Sequence, residues 1–187
     1  MCAWYITRVN SKFTKLLYLL CVFSMVVPFQ MVMFTLSLVA DRTGLRTPWG
    51  IIIIYLGFGA GLAVFMFCGF VKSIPLEIEE AAMIDGATQL EQVTKIVLPL
   101  AKPTIAVTAM MVLVYVWNEY IFAINFMTGS DTYTLAAGLY SLQATEMSGS
   151  WPIFSAASLI VSLPILIVFF ALQKNMTEGL TSGGVKG

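Results

Sequence analysis

Histidine is absent from the 187 residues. That removes imidazole acid–base catalysis, Ser-His-Asp triads and histidine metal sites together. Charge is scarce as well: 11% of residues are charged and 59% are hydrophobic. An ordinary soluble domain has about 25% charged residues and 45–50% apolar ones. No glycine is followed by lysine anywhere in the chain. A phosphate-cradling P-loop, which needs Gly-Lys-Ser/Thr at its end, is therefore missing. The three cysteines, Cys2, Cys21 and Cys68, are far apart and lie in or beside apolar stretches. They form neither a zinc pattern nor a disulfide framework. No catalytic residue, metal site or resident cofactor is expected. The formal net charge of zero says little about partners.

What is present is long apolar runs. Mean hydropathy is +0.89, and a membrane-crossing helix needs about 20 apolar residues. The expected fold is an all-α integral membrane protein with four spans, at about 16–40, 49–71, 104–127 and 152–172, forming one transmembrane domain over 1–187. Pro28 and Gln30 sit in the middle of the first span. A proline there frees a carbonyl and can kink the helix, and Gln30 should face protein or a cavity. In the second span, Gly57 and Gly61 have the small-residue spacing that permits close helix packing. The fourth span holds Pro164. A cleaved signal peptide does not fit residues 1–40, because the apolar run is too long and lacks a small-residue cleavage site.

Basic residues orient the chain. Arg8, Lys12, Lys15, Lys72, Lys95, Lys102, Lys174 and Lys186 fall on one side, and only Arg42 and Arg46 on the other. The positive-inside rule puts both termini and the 72–103 loop in the cytoplasm.

That loop, KSIPLEIEEAAMIDGATQLEQVTKIVLPLAKP, is the one long polar passage between apolar blocks. It holds five of the ten acids: Glu77, Glu79, Glu80, Asp85 and Glu91. It reads as two short helices. Ile74 is biased away from the α region by the following proline, and Pro75 suits the first helical position. The acids then meet the positive end of the helix dipole. Gly86 can leave the helix in the left-handed conformation. Thr88 and Glu91 make a capping box for the second helix, which should put Leu90, Val93 and Val97 on one face and stop near Pro99. A DNA-reading helix-turn-helix does not fit, because the segment is net acidic and DNA affinity comes from basic residues on phosphate. No nucleic-acid partner is expected.

Glu119 is the only charged residue inside a span. It lies about 22 Å along the third span at about 1.5 Å per residue, in the outer third of a core about 30 Å thick. A mid-membrane acid costs roughly 2.5–3.5 kcal/mol. Two readings stay open. Glu119 can snorkel to the interface, or Trp117, Asn118 and Glu119 can line a wet path suited to a sugar. Gln30 has the same two readings, a satisfied amide at a kink or a substrate contact.

Glu80-Ala81-Ala82, then Gly86, then Ile96-Val97-Leu98-Pro99 after nine residues, resembles the EAA loop of ABC-importer permeases. The run Trp117-Asn118-Glu119-Tyr120 and the ending Gly179-Leu180-Thr181-Ser182-Gly183-Gly184-Val185-Lys186-Gly187 look like the maltose-type, carbohydrate branch of these binding-protein-dependent systems. The resemblance covers the chain from about Ala3 onward. It implies a permease subunit of an ATP-driven importer that carries a sugar or oligosaccharide across the cell (inner) membrane. It implies no cofactor in this chain, ATP being bound by a separate ATPase. The implied partners are a second permease subunit, an ATPase dimer and an extracytoplasmic substrate-binding protein. Carried over residue by residue, ATPase coupling falls to Glu79, Glu80, Ala81, Ala82, Asp85, Gly86, Leu98 and Pro99. The translocation-pathway candidates are Trp117, Asn118 and Glu119 of the family-like run together with Gln30, which its own polarity at depth singles out, and the resemblance implies a C-terminal ATPase contact at Thr181, Gly183 and Gly184. The loop at 128–151 would probe the binding protein. Family members have two further N-terminal spans, so the resemblance also implies an N-terminally truncated chain. A second reading follows from that: a non-transporting fragment that docks an ATPase or a partner permease. An intramembrane enzyme and an ion-coupled carrier are weaker, lacking a nucleophile–base pair and a second intramembrane acid.

Overall fold

The computed structural model describes the backbone of residues 1–126, 134–145 and 151–184, with side chains to 143 and 177 in the last two stretches. The described residues are almost entirely helical. In chain order the helices are α1 (Cys2–Arg8), α2 (Lys12–Val26), α3 (Phe29–Arg42), α4 (Gly50–Ser73), α5 (Leu76–Ile84), α6 (Gln89–Leu100), α7 (Lys102–Asn118), α8 (Ile121–Phe126), α9 (Leu135–Thr145) and α10 (Trp151–Gly184). α4 and α10 are each long and apolar enough to cross a membrane. Two bent pairs qualify if each counts as one span: α2 with α3, bent by 104°, and α6 with α7, bent by 74°.

The expected kink at Pro28 is thus a break. α2 ends at Val26, and Pro28 caps α3 with extended backbone at ψ 136°. The third span is broken too: α7 ends at Asn118, and a separate short helix follows from Ile121.

The chain divides into two compact units. The first comprises Met1–Val26, Phe58–Met110 and Leu172–Gly187. Its core is Val71, Ile74 and Val97, flanked by Trp4 and Phe70. α2 opens on a local cap, where the Thr14 N–H donates to Ser11 Oγ at 3.1 Å and the Thr14 hydroxyl donates to the Val9 carbonyl at 2.6 Å. Close packing against α4 follows from Gly61: a Cβ built there would lie 2.6 Å from the Cys21 carbonyl and collide with Ser24 Oγ. Gly57, the other half of the glycine pair, has open space around it.

The second unit comprises Val27–Gly57 and Met111–Ala171. It is centred on aromatic rings. Phe122 and Phe126 are fully buried. Phe29 meets Phe122 edge-on, and Tyr55 stacks on Phe122 with centroids 5.5 Å apart.

Candidate functional site

The hairpin of α5 and α6 forms as its residues dictate. Pro75 takes the cap position of α5, one residue before the expected place. Gly86 turns the chain at φ +82°, where residues bearing a Cβ are strained. The capping box is present in both directions: the Glu91 N–H donates to Thr88 Oγ1 at 3.3 Å, and the Thr88 N–H donates to Glu91 Oε2 at 3.0 Å. Lys95 completes the first turns, its Nζ 2.7 Å from Glu91 Oε1. This donor beside the carboxylate, joined by the Thr88 contacts, pulls Glu91 down to a pKa of about 2.

α6 departs from a regular α-helix over Gln92–Val97, which is π-helical. A π turn takes more residues than an α turn, so the inward face shifts. Val93 and Val97 are buried as expected, but Leu90 is exposed. Gln92 is buried in addition, and its amide donates to the Ala87 carbonyl at 3.2 Å.

α5 has two faces with different chemistry. Outward it presents Glu77, Glu80, Met83 and Ile84, the last 88% exposed. Leu76, Ile78, Ala81, Asp85 and Gly86 are exposed with them, as are Leu98 and Pro99 on α6. Inward it presents Glu79, only 2% exposed, and the half-buried Ala82. The two neighbouring acids therefore point to different surroundings. The Glu79 carboxylate is engaged on both oxygens. Oε1 accepts from Arg8 Nη2 at 2.6 Å and Nε at 3.0 Å, and Oε2 accepts from Trp4 Nε1 at 2.8 Å. Arg8 Nη2 also donates to the Ile74 carbonyl at 3.1 Å, just beyond the end of α4. Sequence reasoning missed Trp4 and Arg8. Their one local signal is an i, i+4 spacing, which puts both on one face of α1.

The residues expected along a pathway lie in the second unit. Gln30 and Asn118 are exposed, and Trp117 and Glu119 are half-buried. Trp117 Nε1 donates to the Val161 carbonyl at 3.2 Å, and Asn118 Nδ2 to the Val114 carbonyl at 2.9 Å. Glu119 caps α8: the Phe122 N–H donates to its two oxygens at 2.8 and 2.9 Å. Tyr55, another residue the sequence did not single out, donates its hydroxyl to Glu119 Oε2 at 3.1 Å. The carboxylate thus has partners within the fold, which lowers the cost of holding it at depth. Of Thr181, Gly183 and Gly184, expected to meet an ATPase, only the helical backbone at the end of α10 is described, and residues 128–133 and 146–150 of the 128–151 loop lie outside the described residues.

Nearly the whole chain has a family counterpart. Binding-protein-dependent transport system inner membrane components match over residues 1–181. The chain belongs to this family. With its long apolar helices, it is a multi-pass membrane protein. Among its relatives is a probable starch degradation products transport system permease protein of Thermoanaerobacterium thermosulfurigenes, 33% identical over 189 residues, covering 100% of this chain and 68% of the relative. A galactooligosaccharides transport system permease protein of Bacillus subtilis is 31% identical over 186 residues, covering 99% of this chain and 66% of the relative. A maltodextrin transport system permease protein of the same bacterium is 37% identical over 139 residues, covering 74% and 50%. The chain thus spans from half to about two thirds of the length of these relatives.

Proposed function

We propose that this family member is a permease subunit of an ATP-driven importer for a sugar or oligosaccharide. Its α5–α6 hairpin docks a separate ATPase, which binds the ATP. The observation that carries this reading is the outward face of α5. Nine residues make too short a helix to persist alone in water, where stability needs about 12–15. Yet the helix is held from its inner side and shows apolar Met83 and Ile84 beside Glu77, Glu80 and Asp85 outward. An exposed apolar patch rimmed by charge marks an interaction site. The names of the relatives, permeases for starch products, galactooligosaccharides and maltodextrin, support a carbohydrate as cargo.

In this reading a second permease subunit completes the pathway, and a substrate-binding protein delivers the sugar from outside. Gln30, Trp117, Asn118 and Glu119 border the path, with Tyr55 holding Glu119. Thr181, Gly183 and Gly184 reach the ATPase. The membrane is the cytoplasmic one, with both termini inside.

The test is co-expression with the ATPase and permease subunits of one transport system, purification through this chain, and uptake of radiolabelled maltodextrins and galactooligosaccharides in proteoliposomes. The expected result is retention of the ATPase and ATP-dependent uptake of a carbohydrate. Failure to retain any ATPase overturns the reading. Retention without uptake of any probe favours a docking fragment that does not transport.

A further inference from the structure

Docking through the outer face of α5 does not involve the buried Glu79 carboxylate, which is held by Arg8 and Trp4 of this chain. Glu79 and Arg8 are 71 residues apart, and their side chains are 3% and 16% exposed. A forked guanidinium contact on one oxygen and an indole N–H on the other fix the carboxylate in direction as well as distance. The contact joins three pieces of backbone. α1 supplies Trp4 and Arg8, α5 supplies Glu79, and the Ile74 carbonyl beyond α4 accepts from Arg8. α1 is in turn seated on α4, where the Cys68 thiol meets the Ala3 carbonyl at 3.6 Å and Ala3 is buried. Beneath the clamp lie Val71, Ile74 and Val97, packed against Trp4. A directional polar contact therefore ties the inner face of α5 to α1 and to the end of α4, in addition to the chain connection through Gly86.

We propose that Arg8, Trp4 and Glu79 form a positioning link that transmits movement between the docked hairpin, the N-terminal helix α1 and the apolar helix α4. Glu79 acts on this chain's own Arg8, whereas the exposed Glu80 one residue on faces the partner. A buried ion pair is weak evidence for added stability, because desolvation offsets its attraction. What such a pair supplies here is a unique register between α1 and α5. The inference rests on the reading of the hairpin as an ATPase-docking element.

The experiment compares Glu79→Gln, Arg8→Lys and Glu80→Gln in the reconstituted transporter. It reads two quantities: ATPase retained per permease, and carbohydrate moved per ATP hydrolysed, using whichever of the labelled maltodextrins or galactooligosaccharides the parent carries. Glu79→Gln keeps the shape and loses the charge, and Arg8→Lys keeps the charge and loses the fork. Both should retain the ATPase at parental levels while transport per ATP falls by about tenfold, within the usual range of coupling between sites. Glu80→Gln should lower ATPase retention and leave transport per ATP at the parental value. The double variant Arg8→Glu with Glu79→Arg should recover part of the loss. A parental ratio in Glu79→Gln and Arg8→Lys overturns the inference. So does a loss of retention and transport in equal proportion, which a purely structural role gives. A parent that captures no ATPase overturns the functional reading and this inference with it.

Discussion

Gly86 shows how far a single residue can be argued. Its φ of +82° lies where other residues are strained, yet a Cβ built there meets nothing within 4 Å. The cost of substitution is therefore one of backbone alone, roughly 1–2 kcal/mol for an L-residue, and larger for a β-branched one. Gly86→Val should leave membrane insertion intact and weaken ATPase docking or uncouple hydrolysis from uptake. Gly86→Asn, which tolerates this region, should be milder. Co-purification together with uptake checks both, and parental behaviour of Gly86→Val would make the hairpin a passive connector. Glu91 gives a pH prediction at the same scale. The Lys95 and Thr88 contacts favour its charged form, so its folded pKa of about 2 is below the usual carboxylate range. The capping contribution is complete above the unfolded value and fades as pH falls toward about 2. Amide exchange at Glu91 and Gln92 should be slow at pH 6 once the intrinsic rate is divided out, and should lose that protection at pH 2. Thr88→Ala should lose most of it at pH 6 as well, an N-cap being worth about 1 kcal/mol. Unchanged protection at pH 2 would contradict this assignment.

Among the helices, the pairing of α2 with α4 depends on one missing side chain. A Cβ at Gly61 would lie 2.6 Å from the Cys21 carbonyl and 3.0 Å from Met25 Cγ, besides colliding with Ser24 Oγ. A backbone oxygen cannot rotate away, so Gly61→Ala must push the helices apart. Overpacking of this kind costs about 1–3 kcal/mol. Gly57→Ala meets open space in the chain and should be close to neutral. Thermal unfolding of the purified protein in detergent should separate the two variants, with only Gly61→Ala lowered. A motif of two glycines does not say which one is close-packed; the neighbouring helix decides it. The same holds at Glu119. Its place at a helix end was not expected, because 104–127 reads as one span, and Tyr55, its hydroxyl donor, is 64 residues away.

For the whole molecule, the distribution of basic residues makes a statement about orientation that can be checked directly. Cys2, Cys21 and Cys68 would be replaced first, and single cysteines placed at Thr43, Glu77 and Lys186. In intact cells, a membrane-impermeant maleimide should label position 43 from outside and reach 77 and 186 only after permeabilisation. The opposite pattern would invert the proposed topology and remove the hairpin from any cytoplasmic ATPase. Composition and periodicity alone determined that the chain is helical and membrane-embedded, and that a polar two-helix hairpin with a capping box and a glycine turn separates its apolar blocks. Those features are local: each follows from the residues within a few positions of it, through helix propensity, caps and burial of apolar side chains. Tertiary structure decided the rest. It opened the first apolar run into two helices bent by 104°, and it turned Glu79 inward while leaving its neighbour Glu80 exposed. A carboxylate's sequence neighbours do not say which way it will point when two acids are adjacent. That choice was made by Arg8 and Trp4, more than 70 residues earlier, because a charge is held in a buried place only where its partners are already waiting.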